Sequence, residues 1–146
     1  MLTQSLDREV EKRLRRRDVR YTRGRRKVVA ALSRSDGPRS AAELHTQVGD
    51  DVPLSSLYRT LTVLEAAGVV VPHFGLKGLT RYELAEWITG HHHHLVCIDC
   101  GAVDDVDVPQ PYESGVRDLV DRIGSLASFT PTGHVLEIEG RCARCA

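Results

Sequence analysis

All four cysteines of this chain lie in two C-x-x-C pairs, Cys97-Ile98-Asp99-Cys100 and Cys142-Ala143-Arg144-Cys145. Two sulfurs three residues apart on a tight knuckle take two corners of a tetrahedron. Two such pairs complete a closed zinc site with no position left for a substrate. The thioredoxin-like alternative uses one C-x-x-C at the start of a helix, whereas Cys100-Gly101 runs into an alternating segment. Two disulfides would need an oxidising compartment. Cys97, Cys100, Cys142 and Cys145 are therefore expected to hold structural Zn2+, which staples a half too short to bury much core unaided.

A second set of donors, His91-His92-His93-His94, stands directly upstream of Cys97. A purification tag is one bland explanation and a solvated histidine run another, but the run is short, internal and enters an apolar segment. On a strand, alternate side chains face opposite ways. His91 and His93 would then face one way, and His92 and His94 the other, which suits two distinct metal sites.

A third pattern occupies residues 55–62, Ser-Ser-Leu-Tyr-Arg-Thr-Leu-Thr. On a helix, Leu57, Leu61 and Leu64 form an inward stripe, and Ser55, Tyr58, Arg59 and Thr62 share the outward face. Arginine can contact guanine edges or phosphate, and tyrosine a thymine methyl or phosphate. Helix surfaces often carry such residues without function, so this face gains meaning only from its surroundings. Upstream, residues 15–17, Arg20, Arg23, Arg25, Arg26 and Lys27 could track phosphates. The net charge of zero hides a split: residues 1–84 hold 16 basic and 10 acidic side chains, and residues 85–146 hold 4 and 10. That asymmetry suggests a nucleic-acid-facing half joined to a half with another task.

The elements that must position these groups follow from periodicity and capping. Leu6, Val10 and Leu14 predict a helix over 5–17. Thr22 can cap a second helix that carries Val28, Val29 and Leu32 and stops near Asp36-Gly37-Pro38. Ser40-Ala41-Ala42-Glu43 is a capping box for a third helix, with Leu44 and Val48 inward. Residues 50–53 form a turn, Ser55 or Ser56 caps a fourth helix, and Gly68 ends it. Residues 69–74 and 80–84 read as strands joined by a turn over 75–78. Helices followed by a hairpin predict a winged helix-turn-helix over 1–85, then a hinge over 86–90. Beyond it, 94–98, 102–108 and 134–138 read as strands, and 111–123 as a helix with Val116, Leu119, Val120 and Ile123 on one face. The fold class expected is α+β: a winged helix, then a small α/β dimerisation domain over 91–146 with the four-cysteine site. With 41% hydrophobic and 27% charged residues, no membrane-length apolar run and no leader-like N-terminus, the chain reads as cytoplasmic, with no membrane partner.

Taken together, SSLYRTLTVLEAAGVV, HHHHLVCIDCG and the terminal CARC resemble the ferric uptake regulator family, over nearly the whole chain. The resemblance implies a homodimer that binds double-stranded operator DNA when loaded with a divalent metal, most simply as a repressor, with no small organic substrate. It implies structural zinc at the four cysteines and base reading by Tyr58 and Arg59. It places Arg20 where the family has a basic residue reaching the minor groove. It implies a regulatory site from Glu83, His92, His94 and Asp105, and an additional site from His91, His93, Glu113 and His134. Pro38 stands where many members place a histidine of the regulatory site, and His73 is a candidate substitute. The zinc-sensing branch places a cysteine in the hinge site, and this chain has none to spare. The peroxide-sensing branch relies on an aspartate where Glu83 stands. Fe2+ is thus the first expectation for the inducing metal and Mn2+ the second, although Zn2+ would bind such an N/O site more tightly in vitro. Two rival classes are a metal-dependent hydrolase, which would need an open metal position, and a metal store, which would not explain the helix-turn-helix.

Overall fold

The computed structural model describes residues 2–75 and 78–146. The chain divides into two compact units, Met1–Gly90 and His91–Ala146. Among the described residues no helix is long and apolar enough to cross a membrane.

In the first unit, α1 (Leu2–Arg15) buries Val10 and Leu14 completely, as the four-residue spacing requires. Asp18 follows it at φ 57, and the amide of Val19 bonds back to the Leu14 carbonyl. This is a left-handed helix stop without glycine. Thr22 caps α2 (Arg23–Ser33), its side chain accepting from the Arg25 amide. Ser40 caps α3 (Ala41–Val48) in the same way, accepting from the Glu43 amide. The Glu43 carboxylate is turned elsewhere: its Oε1 accepts from Arg81 at 2.7 Å and so neutralises a buried guanidinium.

α4 (Leu54–Ala66) begins earlier than expected. Its N-cap is Pro53, with no side-chain cap, so neither Ser55 nor Ser56 caps it. Proline fixes the φ the chain needs on entering the helix, and both serines fall within the first turn. Leu57, Leu61 and Leu64 are buried. Gly68, at φ 70, ends the helix in a Schellman motif, with Val69 N–H on Leu64 O and Gly68 N–H on Glu65 O.

β2 (Val70–Phe74) and β3 (Thr80–Leu84) form the wing, in register from Val70↔Leu84 to Phe74↔Thr80. Leu76 and Lys77 of the expected turn lie outside the described residues. A two-residue strand not foreseen in the sequence, β1 (Arg39–Ser40), pairs with β3 and completes the sheet β1-β3-β2. The segment expected as a hinge contains one helical turn, α5 (Glu86–Thr89), and Ile88 packs against the first unit's core.

In the second unit, β4 (His93–Cys97) is the central strand. It runs antiparallel to β5 (Val103–Val106) and parallel to β6 (Glu137–Gly140). The third strand therefore starts at Glu137 rather than at residue 134. α6 (Gln110–Leu126) is longer than expected, and its buried residues are Glu113 and Gly124. Leu119 and Ile123, on the apolar face of this helix, are exposed by more than half, as are Leu126, Phe129 and Val135. Gly124 is obligatory: a Cβ there would stand 2.6 Å from the Phe129 carbonyl oxygen and 2.7 Å from the Pro131 ring.

Candidate metal centres and nucleic-acid interface

The first unit presents one face of α4 to solvent. Ser55, Tyr58, Arg59 and Thr62 are all exposed, opposite the buried leucine stripe. The uncapped first turn leaves backbone amides at the same end, where a helix favours anionic oxygens. Arg20 is exposed in the turn between α1 and α2. Its carbonyl accepts from Arg25 Nη1 at 2.5 Å, and the neighbouring Tyr21 is buried with its hydroxyl donating to Asp7 at 2.8 Å. Tyr21 thus anchors the turn from which Arg20 projects. Burial, then the Asp7 bond, raise the Tyr21 phenol well above its ordinary value of 10.

Several of the upstream basic residues have partners within the protein. Arg26 stacks on the Tyr21 ring, 4.1 Å from its centroid, and pairs with Asp7 and Glu11. Lys27 pairs with Asp51, and Arg25 holds the Arg20 backbone. These three are structural, and no local sequence signal separates them from exposed Arg16, Arg17, Arg20 and Arg23.

The second unit gathers donors in three places. Cys97, Cys100, Cys142 and Cys145 converge, with one ligand atom of each within 4.8 Å of the others. Cys100 Sγ and Cys142 Sγ are 3.8 Å apart. A tetrahedron with Zn–S of about 2.3 Å has sulfurs about 3.8 Å apart, so the spacing fits zinc. The knuckles favour the thiolate at Cys97 and Cys142. Amide donors from Cys100 and Cys142 lower the Cys97 thiol to about 6, and the crowding of Cys142 and the other sulfurs pushes Cys145 up to about 12. The mutual crowding that raises Cys145 is what a bound cation would relieve, since a metal ligand is the thiolate.

His91, His93, Glu113 and His134 form a second group. Glu113 Oε1 is 3.0 Å from His91 Nε2 and 3.1 Å from His134 Nε2, and Oε2 is 2.8 Å from His93 Nε2. The His93 bond, foremost, lowers the Glu113 carboxyl below its ordinary 4.5. Three imidazoles and a carboxylate suit a first-row divalent ion.

The third group faces the other way. Asp105 stands opposite His94 in the β4–β5 register, and its Oδ1 lies 3.4 Å from His94 Nε2 and 3.5 Å from His92 Nε2. The alternation expected from the histidine run is the arrangement observed.

The sequence profile described as "Ferric uptake regulator family" matches residues 16–119. The ferric uptake regulation protein of Legionella pneumophila is 34% identical over 141 residues, covering 94% of this chain and 98% of that protein. The chain belongs to the ferric uptake regulator family. It is accordingly a metal-responsive transcription regulator. The crystal structure of the Vibrio cholerae ferric uptake regulator superposes with a TM-score of 0.72 at 27% identity, covering 90% of this chain and 98% of that one. A zinc uptake regulator complexed with zinc and DNA superposes with a TM-score of 0.57, also at 27% identity, covering 97% and 93%.

Against the family pattern, Pro38 supplies no side-chain ligand. On the wing, His73 pairs with Arg81 and Glu83 with Val71, so His73 and Glu83 share one face of the hairpin. Both are half-buried. His73 is not one of the donors that cluster within 4.8 Å of one another.

Proposed function

We propose that the chain is an operator-binding repressor that works as a two-fold dimer, holds structural zinc at its four cysteines, and is switched by iron(II), with manganese(II) as the second choice. The observation that carries this reading is the position of the His92/His94/Asp105 donors. They begin two residues after the unit that presents Tyr58 and Arg59 ends. An ion held there would add a cross-link at the start of the second unit, and Glu83, at the end of the wing, is the carboxylate we assign to its remaining side. Imidazole and carboxylate together suit iron(II), manganese(II) or zinc.

Each residue then has a task. Arg59 and Tyr58 contact base edges from the outward face of α4, with Ser55 and Thr62 beside them on backbone or bases. Arg20 reaches the adjacent minor groove from the turn that Tyr21 anchors. His92 and His94 orient toward the Asp105 carboxylate and restrict the chain immediately after Gly90. Metal and operator then strengthen each other's binding by the same factor. His91, His93, Glu113 and His134 form an additional site that ties α6 to β4.

The dimer is inferred from exposed apolar surface. Leu119, Ile123, Leu126 and Phe129 on α6 and the turn after it, with Val135 and Ile138, would leave an unusually apolar surface on a monomer. A second copy would bring two recognition helices to successive major grooves.

The test is anaerobic operator binding titrated with iron(II) or manganese(II). His92→Ala and Glu83→Ala should remain folded, zinc-loaded dimers that need far more metal to bind operator, and His91→Ala should show a smaller effect. Identical titrations of His92→Ala and wild type would move the switch to His91, His93, Glu113 and His134. Elemental analysis of protein isolated from its native cytoplasm identifies the metal.

A further inference from the structure

The segment between the wing and the histidine run is tied down. α5 carries the sole tryptophan of the chain, Trp87. Its indole Nε1 donates to the carbonyl of Gly68 at 2.8 Å, at the left-handed stop of α4. The Arg13 guanidinium of α1 lies over the ring, 3.9 Å from the centroid. The Ala85 amide bonds the Val69 carbonyl, and Ile88 packs against the core. Four neighbouring groups thus fix residues 85–88 to the C-terminal end of α4 and to α1. Gly90 follows at φ 82, a conformation that favours glycine.

We propose that Trp87 is a positioning residue for the regulatory response, fixing the segment that leads into His92 onto the C-terminal end of the recognition helix. The inference rests on the regulatory reading of His92, His94 and Asp105 above. Thr89 and His92 are three residues apart, a reach of at most about 11 Å. A free linker of that length would absorb a restriction imposed at His92 by rotating about its own bonds. With 85–88 held, the rotation left is concentrated at Gly90 and His91, and the restriction passes to α4. Trp87 is 40% exposed and lies outside the apolar core cluster of the first unit. Its distinguishing contacts are the Gly68 carbonyl and Arg13.

The experiment measures coupling rather than stability. A duplex is selected from a random library with manganese-loaded wild-type protein. Its dissociation constant is then measured with and without manganese(II) for wild type, Trp87→Ala, Trp87→Phe and Arg13→Gln. The gain in affinity caused by manganese should fall by about fivefold or more in Trp87→Ala and Arg13→Gln, and less in Trp87→Phe, which loses the indole donor but keeps an aromatic face for Arg13. Metal-free DNA affinity, manganese affinity without DNA, and zinc content should stay as in wild type. An undiminished gain in all three variants overturns the proposal. So does an equal loss of metal-free and metal-loaded DNA binding, which would make the contact merely structural. If Trp87→Ala fails to fold, Arg13→Gln decides, because it leaves the indole bond in place. A wild-type protein that gains nothing from manganese(II), nor from iron(II) under anaerobic conditions, refutes the regulatory reading itself. A wild-type gain that every variant retains refutes only the role of Trp87.

Discussion

Glu113 Oε2 stands 2.8 Å from His93 Nε2, and both side chains are buried. The pair joins α6 to the central strand β4, so it lies where the second unit's thin core would otherwise open. Glu113→Ala should loosen α6 from the sheet, seen as faster amide exchange along residues 110–126 and a lower melting temperature. The four-cysteine zinc should be retained, because the cysteines are separate. Loss of that zinc together with the helix would join the two sites into one.

The cysteines make the sharpest expectation. Purified protein should hold about one tightly bound zinc per chain, as a closed tetrahedral centre implies. Cys97→Ser or Cys142→Ser should release it, and the second unit should lose cooperative unfolding. The first unit should melt as before, because its apolar core lies wholly within residues 6–88. Full zinc content in either variant would show that the ligands are misassigned.

Base reading and backbone contact separate in two variants. Arg59→Ala should cost roughly 1–3 kcal/mol of specific binding if it makes a bidentate base contact. Arg20→Ala should weaken binding more evenly across sequences, or chiefly at A·T-rich positions if it enters the minor groove. Comparison on operator and scrambled duplexes distinguishes them. Equal losses for Arg59→Ala on both would reduce it to a phosphate contact.

Tyr21 links alkaline stability to presentation of Arg20. Its phenol is raised by burial and by Asp7, so the folded state holds the proton more tightly than the unfolded one. The stability it contributes is therefore full below pH 10 and is lost as the pH rises above that value. Absorbance titration should show a tyrosine ionising late, absent in Tyr21→Phe. That variant should unfold with a weaker dependence on pH above 10. If the late-ionising signal survives the substitution, it belongs to another residue.

Much was legible in the sequence because the signals are local. Thr22 and Ser40 cap their helices within one turn, and Gly68 meets the left-handed stop of α4. The paired cysteines chelate within a knuckle, and strand alternation sends His91 and His93 one way and His92 and His94 the other. Three or four residues of chain are enough to decide each of these. The serines at 55 and 56 misled because serine at any helix start resembles a cap, and Pro53 had already fixed the entry.

Tertiary structure decided what depends on groups far apart in the chain. Glu43 resembles a capping-box residue, but Arg81, 38 positions away, takes its carboxylate, since a buried guanidinium without a partner would cost more than an unfilled cap. Arg25, Arg26 and Lys27 look like phosphate contacts until the fold supplies the Arg20 carbonyl, Asp7, Glu11 and Asp51. Trp87 reads as part of a loose linker, and only closure of the wing brings it to the Gly68 carbonyl. The sequence shows one apolar face on α6, and Leu119 and Ile123 on it remain exposed in the fold. Periodicity states that a face is apolar; which surface covers it depends on contacts that no single helix contains.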